Sequence, residues 1–323
     1  MFYEPYQRKR RRRRERRRGG LGRFLAKLIL LALVLARIAA AGLWALPVSL
    51  MQVEPEGMTL SPTDGLPENR INVLLLGTDL MNASRQRSDT LIIATLGGDS
   101  VRLTSVMRDT VVDIPGHGSN KINAAYAYGG PELVMRTLNE NFSLNILYYV
   151  SADFVSLVKL VDAIGGVELD ITEAELKQIN ETCDYMLRTY SYVTYPNAPL
   201  THSGQKVHMN GLQALSFARI RKIDSDFRRT SRQRALLQAM LGRIRANLWN
   251  PVILTRLGKE VLGALNTNLP VPLLISLGEK ALLADGVQQL RLPVDGTYTD
   301  NGSSIRIDDR TGNISAFRGF AYQ

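Results

Sequence analysis

The feature that most constrains this chain is the run from Leu28 to Leu50, apolar apart from Arg37 and Ser49 and placed directly behind a block of basic residues. As a helix at roughly 1.5 Å per residue it would reach about 34 Å, enough to cross a bilayer. Arg37 near its middle costs about 3 kcal/mol, while a dozen Leu, Ile and Val at roughly 0.5 kcal/mol each return about 6, so insertion is favoured. Positive charge stays on the cytoplasmic side, which predicts a cytoplasmic tail over 1–27, a transmembrane helix over 28–50 and everything after Leu50 outside the cytoplasm. No small-x-small cleavage site closes the run, so the segment reads as an uncleaved signal-anchor in the cell membrane. Arg37 reads as a snorkelling residue or as a partner-binding charge.

The rest must then fold without the tail, and its charge says what it avoids. Residues 1–20 carry ten basic residues against Glu4 and Glu15; with Arg23, Lys27 and Arg37 the first 37 residues reach +11 of a total of +10, leaving −1 for residues 38–323. The basic excess therefore points to anionic membrane lipids, and no nucleic acid is expected as a partner. The lone Cys183 excludes an internal disulfide, and His117, His202 and His208 show no metal-ligand spacing.

Residues 51–69, rich in Pro, Gly and acids, read as an extracytoplasmic linker, with a domain over 70–323. Ile71 to Leu76 and Thr90 to Leu96 read as buried strands, the second joined by Gly97-Gly98-Asp99-Ser100 to Val101 to Met107 as a hairpin. Helical periodicity covers Pro131 to Asn141 and Ala152 to Ile164, the latter ended by Gly165-Gly166, with strands at Ile146 to Val150 and Val167 to Ile171. Residues 172–209 read as an irregular insertion. Helices follow at Asn210 to Arg219, Thr230 to Leu248, Val252 to Leu265 and Leu273 to Ala284, and a strand at Leu290 to Val294. The predicted class is α/β: a mixed central β-sheet covered by helices on both faces, a three-layer α-β-α arrangement behind one transmembrane helix.

One stretch resists a bland reading. Arg219 to Arg234 holds seven basic residues and two aspartates inside a nearly neutral domain. The next helix has a core stripe of Leu236, Leu237, Met240, Leu241, Ile244 and Leu248; projected backward it runs through Gln233 and Arg229, with Arg232 on its edge and Arg228 pointing away. A core-facing stripe that turns guanidinium-rich is costly unless an anion waits there, and a helix N-terminus attracts that anion too. Arg87-Ser88-Asp89 before one strand and Arg108-Asp109-Thr110 after its hairpin partner repeat the pairing at strand ends, where α/β sheets place ligands. Asp79 closes the first strand and Lys121 opens a helix. Arginine forks suit phosphate oxygens, and Asp79 with Asp89 suits magnesium shared with phosphates.

These segments, Leu75-Leu76-Gly77-Thr78-Asp79, Arg87-Ser88-Asp89-Thr90, Met107-Arg108-Asp109-Thr110, Lys121-Ile122-Asn123-Ala124-Ala125-Tyr126, Val161-Asp162-Ala163-Ile164-Gly165-Gly166-Val167, Ala218-Arg219-Ile220-Arg221, Asp226-Phe227 and Arg229 to Arg234, resemble in order the motifs of the LytR-CpsA-Psr family across about residues 70–240. The resemblance implies a membrane-anchored phosphotransferase that moves a glycopolymer, such as teichoic acid or capsule, from a polyprenyl-pyrophosphate carrier to a peptidoglycan acceptor, assisted by Mg2+. It puts pyrophosphate-binding side chains at Arg87, Arg108, Lys121, Arg219, Arg221, Arg229 and Gln233, the metal at Asp79 and Asp89, and supporting roles at Asp226 and Arg232. Asp89, Arg108 and Arg219 are the expected catalytic residues, with Asp89 left open between a base and a metal-associated role. The chain departs from the pattern at Arg228, often glycine in the family, and at Ile220, often methionine.

Three other functions compete: a prenyl-pyrophosphate phosphatase, a non-catalytic wall-polymer binder, and a regulator acting on nucleic acid through the basic tail. The last leaves the arginines beyond the membrane unexplained. A prenyl chain also requires an apolar tunnel, for which helices beside the sheet are the expected walls.

Overall fold

The computed structural model describes residues 57–323 except 79–87, 190–194, 196–197, 222, 224–225, 249, 251, 254–255, 258–259 and 261–265. The expected tail and membrane span lie outside the described residues, as do Asp79 and Arg87. No helix among the described residues is long and apolar enough to cross a membrane.

The fold is mixed α/β. Its main sheet has six strands in the order β10 (Gly286–Leu292), β3 (Ser100–Val106), β2 (Ser88–Leu96), β1 (Ile71–Thr78), β6 (Ile146–Asp153) and β9 (Asn266–Thr267). The near-continuous apolar run of β1 suits a strand covered on both faces, and β1 sits in the interior, antiparallel to β2 and parallel to β6. The β2–β3 hairpin forms at the expected glycine turn, and β10 adds parallel to β3. Strands β1, β3 and β6 therefore end on the same edge of the sheet, beside the start of β2.

Helices lie against this sheet. On one side of β2, Ile92 and Ala94 pack with Leu237 and Leu241 of α5 (Asp226–Ala246) and Ala281 of α6 (Val271–Leu283). Strand alternation sends Leu91 and Ile93 the other way, and both are buried. There α1 (Ile122–Phe142) touches β2 and β6, and α7 (Arg310–Ala321) touches β3, β10 and α1. Within the stretch read as a linker, Leu60 is fully buried and its carbonyl accepts from Asn139 Nδ2 at 2.8 Å, so residues around it lie on the domain.

The irregular insertion expected over 172–209 is corrected by the structure. It contains α3 (Glu173–Thr189) and β8 (Gly204–Met209), which pairs with β7 (Val167–Ile171). The physical signals were present: Thr172 and Glu175 bond reciprocally as a capping box, and Ile179, Cys183 and Met186 form a buried stripe at helical spacing. A four-stranded sheet, β11 (Tyr298–Asp300), β12 (Ile305–Ile307), β4 (Thr110–Ile114) and β5 (Gly118–Lys121), was also not foreseen. Helix α7 was missed as well; its mean apolar character is weak, and Asp309 caps it by accepting from Gly312 N at 2.8 Å.

A second core joins α2 (Phe154–Ala163), α3, α4 (Gly211–Arg219) and β7 and β8, with Val161, Ile164, Val207 and Leu215 inside. Asp162 accepts from Gly211 N at 2.8 Å and from the Tyr195 hydroxyl at 2.7 Å, which pins α4 to α2. A Cβ on Gly211 would stand 2.2 Å from the Val158 carbonyl oxygen. Gly211→Ala is therefore expected to lower stability by about 1–3 kcal/mol through forced separation of the two helices, measurable as a lower urea midpoint with an unchanged slope.

Candidate active site

The ends of β1, β3 and β6 and the first turns of α5 bring most of the expected residues together. Asp89 is the second residue of β2 and Arg108 lies in the turn after β3. Arg108 donates from Nη1 to Asp89 Oδ1 at 2.9 Å, and from Nε to Asp226 Oδ2 at 3.0 Å and Asp109 Oδ2 at 3.2 Å. The other Asp89 oxygen takes Arg221 Nη2 at 2.6 Å and lies 3.6 Å from Arg229 Nη2. Lys121 reaches the group through Asp109 Oδ1 at 3.0 Å. Residues more than 100 positions apart thus form one ion-pair network.

Arg219 ends α4 with its guanidinium 4.1 Å above the Phe154 ring, an arrangement that orients the fork. Arg229 is the innermost cation, its side chain only 6% exposed, and its Nε has no hydrogen-bond partner among the described residues. The backward projection of the core stripe is borne out for the geometry of Arg229 and Gln233, both buried, and Arg228 is exposed as expected. Arg232 behaves differently. It is buried but donates to Glu175 of α3 at 2.8 Å and to the Ile220 carbonyl at 3.3 Å, so it ties α5 to α3 away from Asp89.

The electrostatics follow from this crowding. Burial would raise the Asp89 carboxyl, but Arg229, Arg108 and Arg221 outweigh it and hold the group below its usual range. Burial opposes the charge on Arg108 too, and Asp89 and Asp226 overcome it, raising that guanidinium. On Arg229 burial wins: together with Arg221 and Arg108 it lowers the guanidinium to about 10, in spite of Asp89 and Asp226. Of the cations in this network, Arg229 is thus the one whose charge the neighbouring carboxylates compensate least, and it is suited to a further anion.

Because the Asp89 pKa is depressed, the stability its pairing contributes is complete above the ordinary carboxylate value near 3.8 and is lost as pH falls through the lower folded value. Binding of an anion that does not itself titrate between about pH 5 and 8 should consequently stay flat across that range and change only below about pH 4. A titration that instead shows a step near pH 6 would contradict this charge arrangement.

Behind the network the site becomes apolar. A cavity of about 230 Å3 opens between the sheet and helices α2, α4 and α5, with Asp89, Arg219, Arg229 and Gln233 at its polar end. Leu75, Ile92, Val150 and Ala152 line it from the sheet; Leu157, Leu160, Leu215, Leu236 and Met240 line it from the helices. Its walls include α4, whose role as a wall had no periodicity signal because nearly every residue of that helix is buried. Phe154, which carries Arg219, and Asp109, which links Lys121 to Arg108, also escaped notice as site residues.

For magnesium the donor set fits only the kind of site in which one carboxylate shares the ion with substrate phosphates. Asp89 at the cavity mouth is such a carboxylate, Asp79 lies outside the described residues, and no group of three His, Cys, Asp or Glu suited to an ion occurs among the described residues.

An arginine-rich ion-pair network at the mouth of an apolar cavity narrows the chemistry, and the sequence comparison decides the family. Residues 49–314 match the LytR_cpsA_psr family. The chain belongs to the LytR-CpsA-Psr family. Among family relatives, the regulatory protein MsrR of Staphylococcus aureus (strain COL) is 28% identical over 265 residues, covering 78% of this chain and 75% of that protein. The polyisoprenyl-teichoic acid–peptidoglycan teichoic acid transferase TagU of Bacillus mycoides (strain KBAB4) is 34% identical over 176 residues, 53% of this chain, and the match spans 51% of TagU. A solved structure of the family protein YwtF (TagT), with bound octaprenyl pyrophosphate lipid, shares the fold at a TM-score of 0.57 and 21% identity over 77% of this chain and 88% of that one.

Proposed function

We propose that this LytR-CpsA-Psr protein is a membrane-anchored phosphotransferase that moves a glycopolymer from a polyprenyl-pyrophosphate carrier to peptidoglycan. The observation that carries the reading is the convergence of Arg108, Arg219, Arg221 and Arg229 at the polar end of an apolar cavity. A pyrophosphate needs the first feature and a prenyl tail the second. The name of TagU and the lipid bound to TagT lend support from relatives. Residues 1–27 are read as a cytoplasmic tail, 28–50 as the membrane anchor and 70–323 as the extracytoplasmic catalytic domain, with 51–69 between them.

In this mechanism the arginines leave part of their pairing with Asp89 and Asp226 for phosphate oxygens, an exchange of like hydrogen bonds that costs little reorganisation. Asp226 and Asp109 keep Arg108 oriented, and Lys121 offsets charge from the Asp109 side. The acceptor hydroxyl attacks the sugar-side phosphorus in line; its new P–O bond forms as the bond to the bridging oxygen breaks, the polyprenyl phosphate leaves, and the hydroxyl proton passes to that departing phosphate or to solvent. The guanidiniums gain most as charge shifts onto that leaving group. Asp89, with both oxygens facing guanidiniums and its pKa depressed, acts through charge and is poorly suited to take the hydroxyl proton at neutral pH. Asp89 would hold magnesium together with pyrophosphate oxygens, and Asp79 is the second expected carboxylate; the ion would supply further neutralisation of the leaving charge.

The test uses the full chain in membranes or detergent, a prenyl-pyrophosphate-linked glycan and peptidoglycan, with magnesium present or chelated. Transfer predicts polymer on the acceptor together with released prenyl phosphate. Release without polymer on the acceptor would assign a phosphatase, and retention of the lipid without release would assign a binder.

A further inference from the structure

On the opposite flank of α5 lies a second basic site that the reaction described above does not use. Phe227, Ser231 and Arg234 of α5 and Gln289 and Arg291 of β10 line an open groove of about 520 Å3, together with Arg228, Val294 and Asp295. At 100° per residue the α5 members of this groove point nearly opposite to Arg229 and Gln233, so the helix separates the two sites. They are nevertheless close: Phe227 follows Asp226, the partner of Arg108 at 3.0 Å.

Arg234 is the decisive residue. It is only 8% exposed, yet its hydrogen-bond partners are all neutral: Ser105 Oγ at 2.7 Å, Gln289 Oε1 at 2.7 Å and Ser231 Oγ at 3.2 Å. No carboxylate pairs with it among the described residues, and burial together with the charge of another cation, Arg291, lowers its pKa. Arg291 pairs with Asp295, but that carboxylate is 87% exposed and so is strongly screened. Arg228 makes no ion pair among the described residues. A buried guanidinium facing a second guanidinium is costly unless an anion joins them.

We propose that this groove binds an anionic segment of a sugar polymer through phosphate or carboxylate groups held by Arg234, Arg291 and Arg228. The groove has room for more than a small inorganic ion, and its wall combines what a hydroxyl-rich anion uses. Phe227 supplies ring surface, with Arg291 stacked 4.3 Å over it and the Tyr298 ring 6.1 Å away beside the groove, while Ser231, Gln289 and Asp295 place further polar groups along the wall. That the polymer is one joined or carried by this enzyme rests on the proposed function; the anion site itself does not. Placed beside Asp226, it would hold the polymer next to the reacting phosphorus.

The experiment titrates the full chain in detergent with three probes: a glycerol-phosphate oligomer, a peptidoglycan fragment with free carboxylates, and neutral dextran. Salt-sensitive binding of at least one anionic probe is expected, with none of dextran, and the binding probe identifies the source of the anion. R228Q/R291Q, whose two side chains are at least partly exposed, should weaken that binding roughly tenfold or more, and R234Q should do the same where it folds. Octaprenyl pyrophosphate, titrated in parallel, should bind both variants as it binds wild type; its failure to bind wild type would count against the proposed function and leave the groove to be judged by the polymer arms. Absence of binding by both anionic probes, or unchanged affinity in R228Q/R291Q, would overturn the groove.

Discussion

Replacing Arg108 by alanine should lower kcat/KM for polymer transfer by about 100- to 1000-fold, the scale seen when one preorganised donor is removed from developing anionic charge. Arg108 stands at the centre of the network because Asp89, Asp109 and Asp226 all meet its guanidinium. Without it, three carboxylates face the incoming pyrophosphate with Arg221, Arg229 and Lys121 left to balance them. Arg108→Lys should recover only part of the loss, since a single ammonium cannot bridge two carboxylates and then present a fork to phosphate. Some stability should be lost as well, because Arg108 is only 19% exposed and its removal leaves Asp89, Asp109 and Asp226 without their shared partner. Steady-state kinetics alongside a thermal melt check both halves, and activity within about threefold of wild type would remove Arg108 from the chemistry.

The second large effect is expected from filling the cavity while leaving its charges alone. Ala152 lines the apolar space opposite α5, and Ala152→Phe would occupy room that a prenyl tail needs. Losing contact for about four methylene groups at about 0.8 kcal/mol each corresponds to roughly 100-fold weaker binding of a long-chain prenyl pyrophosphate. Inorganic pyrophosphate, which uses only the arginines, should bind the variant as before. Comparison of the two ligands on the folded variant gives the answer: equal losses would mean that the cavity and the anion site are not halves of one binding surface.

Much of this arrangement could be read from the residues because local pattern and global burial agree there. The β1 run INVLLLGT, the β2–β3 hairpin at Gly97 to Ser100 and the Gly165-Gly166 stop, where both glycines have positive φ, each carry their own local signal. Arg229 and Gln233 were legible through helical phase alone. Other features depend on distant partners and left no periodic trace. Arg232 lies on the same helix and is equally buried, but Glu175, 57 residues away, draws it to α3. Arg234 is buried by its contacts with β3 and β10, which no reading of α5 in isolation contains. Helix α3 was overlooked for a different reason: its buried stripe of Ile179, Cys183 and Met186 is diluted by charged residues, so its capping box was the better signal.

Whether the converged guanidiniums recognise a pyrophosphate at the head of an apolar chain is tested most directly by titrating the full chain with octaprenyl pyrophosphate and, separately, with the matching polyprenyl alcohol. The prediction is that the pyrophosphate binds at least about 100-fold more tightly, and that Arg229→Met removes most of the difference while leaving the weak affinity for the alcohol. Equal affinity for pyrophosphate and alcohol in the wild-type protein would contradict the account.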